Sequence, residues 1–139
     1  MKVTIGPPTS SRSYLGDNPT DEQKVDVKIE KHDTWNMDQT LAHIIAPMLR
    51  QLKETTHSAP PVELEDVPEH LNDGVTDFYF ERWDWVLDEM IFAFDSKIHD
   101  FEDQFFTEEG YDDVGCGKML DRIANGFRLF GKYYQNLWD

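Results

Sequence analysis

Six carboxylates recur along one predicted helix in the middle of the chain, and they form the densest patterned set of ionisable residues in the sequence. They are separated by steps of 4, 3, 4, 7 and 7 residues and comprise Asp77, Glu81, Asp84, Asp88, Asp95 and Glu102. Because an α-helix turns about 100° per residue, all six fall in one narrow sector, which we call the acid stripe. Like charges at i, i+4 repel by about 0.2–0.5 kcal/mol per pair, so the pattern requires something that offsets the repulsion.

The acid stripe has four interpretations. Cations of neighbouring helices would pair with it, and the candidates are Arg50, Lys53, Arg122 and Arg128. Alternatively, the stripe docks on a basic patch of a partner protein, imitates the phosphate rail of DNA, or binds a metal. For docking, the expected partner-binding residues are Asp77, Glu81, Asp84 and Asp88.

The metal interpretation has the least support from residue spacing. A di-metal carboxylate bundle uses Glu-x-x-His pairs, in which a His follows a Glu by three residues. None of Glu81, Glu89 and Glu102 has a His at that position, while Asp95 and His99, like Asp66 and His70, lie four residues apart. We therefore expect no metal site.

A second candidate site lies on and around the first predicted helix, on the face opposite its apolar residues. Its expected ligand-binding residues are Trp35, Asn36, Thr40, His43, Arg50, Lys53 and His57. They combine hydrogen-bond donors, imidazoles, two cations and an aromatic ring, which is the set that an anionic, nucleotide-like small molecule requires. The alternative is that Arg50 and His43 pair with the acid stripe.

Catalytic motifs are missing from the sequence. Cys116 is flanked by glycines near a predicted helix start, but no His or Asn can be assigned to it as a partner. The GxGxxG, P-loop, HExxH and GxSxG patterns do not occur. We expect a non-enzymatic protein without a cofactor.

The charge is concentrated in one segment. The 139 residues carry a formal charge of −15, of which residues 1–59 contribute −1, residues 60–113 contribute −16 and residues 114–139 contribute +2. Binding DNA or RNA in a basic groove depends on Lys and Arg that release phosphate counterions, so direct nucleic-acid binding is not expected. No long apolar run and no secretion signal are present, which predicts a soluble, intracellular protein without membrane contact.

Periodicity predicts a mainly α fold. We expect one domain over 1–139, with a β ribbon and loop in 1–31 and a helical core in 32–139. The ribbon comprises Lys2–Ile5 and a half-buried strand Val25–Ile29, separated by a Gly6–Thr20 loop. Three principal helices in an antiparallel bundle extend from Asp33 or Thr34 to about Thr55, from about Val75 to Phe106, and from about Lys118 to Leu137. A Pro-rich connector, His57–Gly74, contains a helical turn at Pro68–Leu71.

Apolar spacing predicts which helix faces are buried. On the first helix the predicted core face is Met37, Leu41, Ile44, Ile45, Met48 and Leu52, and Pro47 is expected to kink the helix or end its first half. The middle helix has one apolar stripe from Phe80 to Phe105 and a second one at Phe78, Trp85 and Phe92. Because two neighbouring helices do not readily cover both stripes, we expect a homo-oligomer.

Several strings of the sequence resemble a family of small proteins encoded by tailed bacteriophages. They are W-x-M-D-x-T-L-A at Trp35–Ala42, E-D-V-P-E-H-L at Glu65–Leu71 and R-W-D-W-V-L-D-E-M-I at Arg82–Ile91, and the resemblance covers roughly residues 25–139. It implies a viral protein that acts in the cytoplasm of an infected bacterium. It implies no catalytic residues.

Together these observations predict a phage accessory protein that acts in counter-defence. In the first form it sequesters a host-derived, nucleotide-like immune signal against the first helix. In the alternative form it is an acidic inhibitor or DNA mimic that docks on a basic host protein through the acid stripe. An enzyme in which carboxylates and His43 act as acid and base, and a minor virion or assembly component, are the remaining alternatives.

Overall fold

Over the residues that the structure describes, the fold is mainly α, with three α-helices and a small amino-terminal antiparallel ribbon, as the periodicity predicts. A computed structural model describes residues 1–6 and 24–138. The chain divides into two compact units, Met1–Met37 and Asp38–Asp139. The predicted Gly6–Thr20 loop lies outside the described residues from residue 7 onward.

The amino-terminal unit contains the ribbon. Strand β1, Lys2–Ile5, pairs with β2, Val25–Lys28, so that Val3 lies opposite Val27 and Ile5 opposite Val25. These cross-strand apolar pairs share one face, as the alternation predicts. Val25 and Ile5 are 59% and 60% exposed, so this face is more accessible than the predicted half-buried strand.

A short 3₁₀ turn, Lys31–Thr34, closes the amino-terminal unit. The Asp33 carboxylate accepts a 2.7 Å hydrogen bond from the Glu30 backbone N–H and lies 3.0 Å from the Met1 ammonium group. The Glu30 bond and then the Met1 bond lower the pKa of Asp33. Because Asp33 belongs to this turn, the first α-helix begins later than predicted.

Helix α1, Met37–Thr55, continues through Pro47 and does not end there. Its buried face differs from the prediction: Ala42, Ala46 and Leu49 are buried, whereas Leu41 and Met48 are 41% and 66% exposed. The prediction is confirmed for Ile45 and Leu52, which are partly buried and pack against the core, and is wrong for Met37, Leu41 and Met48 because it followed the larger apolar side chains. Two of the three buried residues of α1 are alanines.

Helix α2, Tyr79–Ile98, is shorter than the predicted segment Val75–Phe106. The backbone becomes extended at His99, with φ −110° and ψ 134°, and the Asp100 carboxylate accepts a 3.2 Å bond from the Glu102 N–H. Such local side-chain bonds compete with helical hydrogen bonds, which explains the early end. A 3₁₀ turn, Glu102–Phe105, follows.

The segment after this turn is a hairpin of two short strands, β3 (Phe106–Thr107) and β4 (Gly110–Tyr111). Helix α3 then covers Asp113–Lys132, starting five residues earlier than predicted. Asp112 caps it by accepting a 2.9 Å bond from the Gly115 N–H. A Cβ on Gly115 would collide with the Asp112 side chain, so glycine permits this cap.

The core is formed mainly by α2 and α3, which run antiparallel. Trp83 contacts Tyr133 edge-on at 6.0 Å between ring centroids, whereas further along α2 the Glu89 carbonyl approaches Gly126. Phe94 packs edge-on against Phe127 and Phe130, the latter at 4.8 Å.

The connector adds Val67 and Leu71 to the core, and Leu71 lies within the 3₁₀ turn Glu69–Leu71. Among the described residues, no helix has the length and apolarity needed to cross a membrane.

Candidate acidic docking site

The acid stripe is shorter in the structure than in the sequence. Glu81, Asp84, Asp88 and Asp95 lie in α2, whereas Asp77 precedes the helix and Glu102 belongs to the 3₁₀ turn beyond its end. The earlier end of α2 therefore removes Glu102 from the helical face.

Two cations of α1 neutralise the carboxyl-terminal half of the stripe. The Lys53 ammonium donates to both oxygens of Asp88, at 2.6 and 2.7 Å, and the Arg50 guanidinium donates to Asp95. The interpretation in which neighbouring cations pair with the stripe is confirmed for these two residues. They offset part of the like-charge repulsion along α2.

The amino-terminal part of the stripe is not neutralised in this way. Asp77 and Glu81 are exposed, and neither forms an ion pair with any residue in the described ranges. Asp84 lies between Glu81 and Asp88 on the helix. Burial raises the pKa of Asp84, the nearby Lys53 ammonium opposes this, and Asp88 and Glu81 raise it further. Asp77, Glu81 and Asp84 therefore form a carboxylate surface with unbalanced charge, which we call the acidic docking surface.

At the candidate ligand site of α1, the alternative in which Arg50 pairs with the acid stripe is confirmed. The two cations of the site, Arg50 and Lys53, already contact carboxylates of α2. His43 is exposed on α1. An anionic ligand would have to compete with Asp95 and Asp88 for these cations.

The remaining predicted ligand residues divide between the two units. Trp35 and Asn36 belong to the amino-terminal unit, where Trp35 is 74% exposed and contacts His32 edge-on at 6.4 Å. Thr40 and His57 belong to the helical unit, Thr40 on α1 and His57 in the connector.

One buried ionic cluster was not predicted. Asp66, whose side chain is 2% exposed, accepts hydrogen bonds from Arg128 at 2.7 Å and from the Tyr133 hydroxyl at 2.7 Å. The Lys132 ammonium lies 2.5 Å from the same carboxylate. Burial would raise the pKa of Asp66, but bonds from Lys132, Tyr133 and Arg128 outweigh it and lower the pKa. The cluster joins the connector to the carboxyl-terminal end of α3. A carboxylate held anionic by three donors is a weak base, which does not suit it to proton transfer.

The second unpredicted ion pair joins α2 to α3. The Arg122 guanidinium donates three hydrogen bonds, at 2.8–3.1 Å, to both oxygens of the buried Glu89. It also lies over the Phe92 ring, 3.7 Å from the centroid. A sequence signal existed for this pair, because Glu89 interrupts the apolar stripe of Phe78, Trp85 and Phe92.

Most cations of the helical unit are therefore committed to internal contacts. Six of the eight Lys and Arg side chains between residues 38 and 138 form ion pairs, and Arg82 donates instead to the Leu71 carbonyl at 2.8 Å. The six pairs are Arg50–Asp95, Lys53–Asp88, Lys97–Asp38, Arg122–Glu89, Arg128–Asp66 and Lys132–Asp66. The surplus carboxylates remain on the surface.

The single cysteine has a local partner. Cys116 is buried, and its sulfur accepts a 3.0 Å hydrogen bond from the Tyr111 hydroxyl, which raises the pKa of Tyr111 to about 12. Within the described part of the chain, no group of three or more His, Cys, Asp and Glu residues is arranged to hold a metal ion.

Comparisons of the chain with protein-family models, with curated proteins and with solved structures gave no significant match.

Proposed function

We propose that this chain is a non-enzymatic accessory protein of a bacteriophage that acts in the host bacterial cytoplasm by docking on a basic surface of a host protein. The observation that supports this proposal is the separation of charge within the helical unit. Six of its eight Lys and Arg side chains form internal ion pairs, whereas no ion pair between described residues includes Asp77, Glu81 or Asp84.

A cationic partner would relieve a repulsion that the fold leaves in place. Lys or Arg side chains of the partner would lie against Glu81 and Asp84, favour the ionised form of Asp84 and lower its pKa, which burial now holds up. Docking of this kind depends on charge complementarity, which raises the association rate and weakens as salt screens the charges.

The test compares two charge reversals of equal size. Tagged wild-type protein, an Asp77→Lys/Glu81→Lys variant and a control Asp103→Lys/Asp121→Lys variant are expressed in host cells and purified at increasing salt. All four positions are exposed. We expect a basic host protein to co-purify with the wild type and the control, and to be lost from the first variant and at high salt. Equal retention by all three proteins would contradict the proposal.

Sequestration of a nucleotide-like signal remains a prediction that the same proteins can test. A ligand at 100 times its dissociation constant adds about 2.7 kcal/mol to stability. A thermal-shift screen of nucleotides and cyclic dinucleotides would therefore reveal such a ligand in the wild type. Loss of the shift in Arg50→Ala, but not in Asp77→Lys/Glu81→Lys, would favour sequestration over docking.

A further inference from the structure

Helix α1 buries Leu49 and packs Ile45 and Leu52 against the core, but other large apolar residues of the helix face solvent. Ala42 and Ala46 are fully buried, whereas Leu41 and Met48 are 41% and 66% exposed and Ile44 is partly exposed. The steps of three and four residues place Leu41, Ile44 and Met48 on one side of the helix. We call these three residues the α1 apolar stripe. It is an exposed strip of the kind that binds another apolar surface.

Charge decides among the possible occupants of this stripe. The helical unit, residues 38–139, contains eight Lys and Arg against 22 Asp and Glu, a formal charge of −14. A second copy carries the same charge and is repelled, as is an anionic membrane surface. A cationic segment is attracted.

The charges of α1 itself lie on both sides of the stripe. Asp38 projects about 90° to one side of it and Glu54 about 110° to the other, at about 100° per residue. The Asp38 side chain is 59% exposed although it lies 3.3 Å from the Lys97 ammonium, and Glu54 is exposed. A partner whose apolar face is bordered by cations on both sides would therefore place them near Asp38 and Glu54.

We propose that the α1 apolar stripe binds an amphipathic, basic helix of the partner protein. This inference rests on the proposed function, because it assigns a structural class to the basic partner. A helix with apolar residues at three- and four-residue steps, bordered by Lys or Arg, matches the stripe and the two carboxylates. Met48 suits such an interface because its flexible thioether adapts to different side chains.

The direct test uses a labelled peptide of about 14 residues, or roughly four helical turns. It contains Leu at three- and four-residue steps and Lys elsewhere, and a scrambled peptide of equal composition is the control. Binding is measured by fluorescence anisotropy with the wild type, Leu41→Glu, Met48→Glu and the matched Leu120→Glu. Leu120 is a 50% exposed leucine on α3. Circular dichroism checks that each variant is folded.

The sign of the effect distinguishes apolar docking from simple charge attraction. An added glutamate attracts a cationic peptide, so purely electrostatic binding would strengthen or stay unchanged in every variant. We expect Leu41→Glu and Met48→Glu to weaken binding at least tenfold, and Leu120→Glu to change it less than twofold. The scrambled peptide should bind at least tenfold more weakly than the amphipathic one.

Methionine methyl NMR supplies a second readout that does not depend on variants. The peptide should shift the Met48 methyl signal and leave that of Met90, which is fully buried, in place. In the free protein a soluble paramagnetic agent should broaden Met48 and spare Met90. A Met48 methyl protected in the free protein would overturn the inference.

The remaining outcomes separate this inference from the proposed function. If Leu41→Glu leaves peptide binding intact while Asp77→Lys/Glu81→Lys abolishes it, the stripe proposal is wrong and acidic docking stands. A dimer in sedimentation that Leu41→Glu dissociates would assign the stripe to a second copy. Failure of the amphipathic peptide to bind the wild type would also overturn the inference, and the host-protein purification would then decide on acidic docking separately.

Discussion

Arg122 of α3 binds both carboxylate oxygens of Glu89 of α2 while its guanidinium covers the Phe92 ring. Glu89 is 7% exposed, so it depends on Arg122 for the interactions that water would otherwise supply. The pair aligns α2 with α3 next to the close approach at Gly126. The Arg122 guanidinium also covers Phe92, which belongs to the second apolar stripe of α2 (Phe78, Trp85 and Phe92). Exposure of that stripe is the basis for predicting self-association, which stays a prediction.

Removing Arg122 should destabilise the protein strongly. Arg122→Met leaves the buried Glu89 carboxylate without its partner, and breaking a buried pair in this way costs roughly 3 kcal/mol. The Glu89→Met/Arg122→Met double variant should recover much of that loss, because both charges are gone. Urea unfolding of the two single variants and the double variant provides the measurement. A double variant less stable than either single one would contradict this account.

Asp66 should make stability sensitive to acid. Its folded-state pKa is lowered below the reference value of 3.8, so its stabilisation is complete above that value and is lost as pH falls through the folded pKa. Asp66→Asn should cost about 2–3 kcal/mol at pH 7 and reduce the loss of stability between about pH 5 and 2. Urea midpoints across pH measure both effects. Asp121→Asn, at an exposed position, is the control and should change neither.

Asp84 should behave in the opposite way. Burial raises its folded-state pKa, so the ionised side chain opposes folding at neutral pH; this penalty shrinks as pH falls through the folded pKa and is gone below the reference value of 3.8. Asp84→Asn should stabilise the protein by about 0.5 kcal/mol through relief of two like-charge contacts. Asp88→Asn, one turn away, should instead lose up to about 1 kcal/mol with its Lys53 partner. Thermal melts at neutral pH measure both, and effects of the same sign would refute the assignment.

Gly126 should not tolerate a side chain. A Cβ there would lie 2.6 Å from the Ala93 Cβ and closer still to the Glu89 carbonyl oxygen, so α2 and α3 would have to separate. Gly126→Ala should cost about 1–3 kcal/mol. Gly117, also in α3, has no atom within 4 Å of such a Cβ, and Gly117→Ala should stabilise by up to about 1 kcal/mol through helix propensity. Chemical unfolding of both variants tests the contrast.

Local sequence signals account for most of the fold. The spacing of apolar residues predicts three helices, alternation predicts the ribbon, and Gly126 is recognisable as a point of close helix approach. The end of α2 was missed because the Asp100 side chain forms a bond that periodicity does not register. The buried face of α1 was predicted only in part, at Ile45 and Leu52, because alanines contribute little to an apolar pattern although Ala42 and Ala46 are fully buried.

The candidate site was less predictable because it depends on contacts between distant residues. The acid stripe is visible in the sequence, but which carboxylates are neutralised depends on how α1 lies against α2. Pairing of Arg50 with Asp95 and Lys53 with Asp88 joins residues 45 and 35 positions apart. The Asp66 cluster has no periodic signal, since Asp66 lies in a short 3₁₀ turn, Leu64–Asp66, of the Pro-rich connector.

The contact between Asp66 and Arg128 joins residues 62 positions apart. It closes a loop that contains all of α2 and most of α3, and loop-closure entropy opposes it until both helices are in place. On a ribosome this contact cannot form until α3 has left the exit tunnel. The connector of an incomplete chain would therefore leave the Asp66 carboxylate without Arg128, Lys132 and Tyr133, the three donors that hold it anionic in the finished molecule.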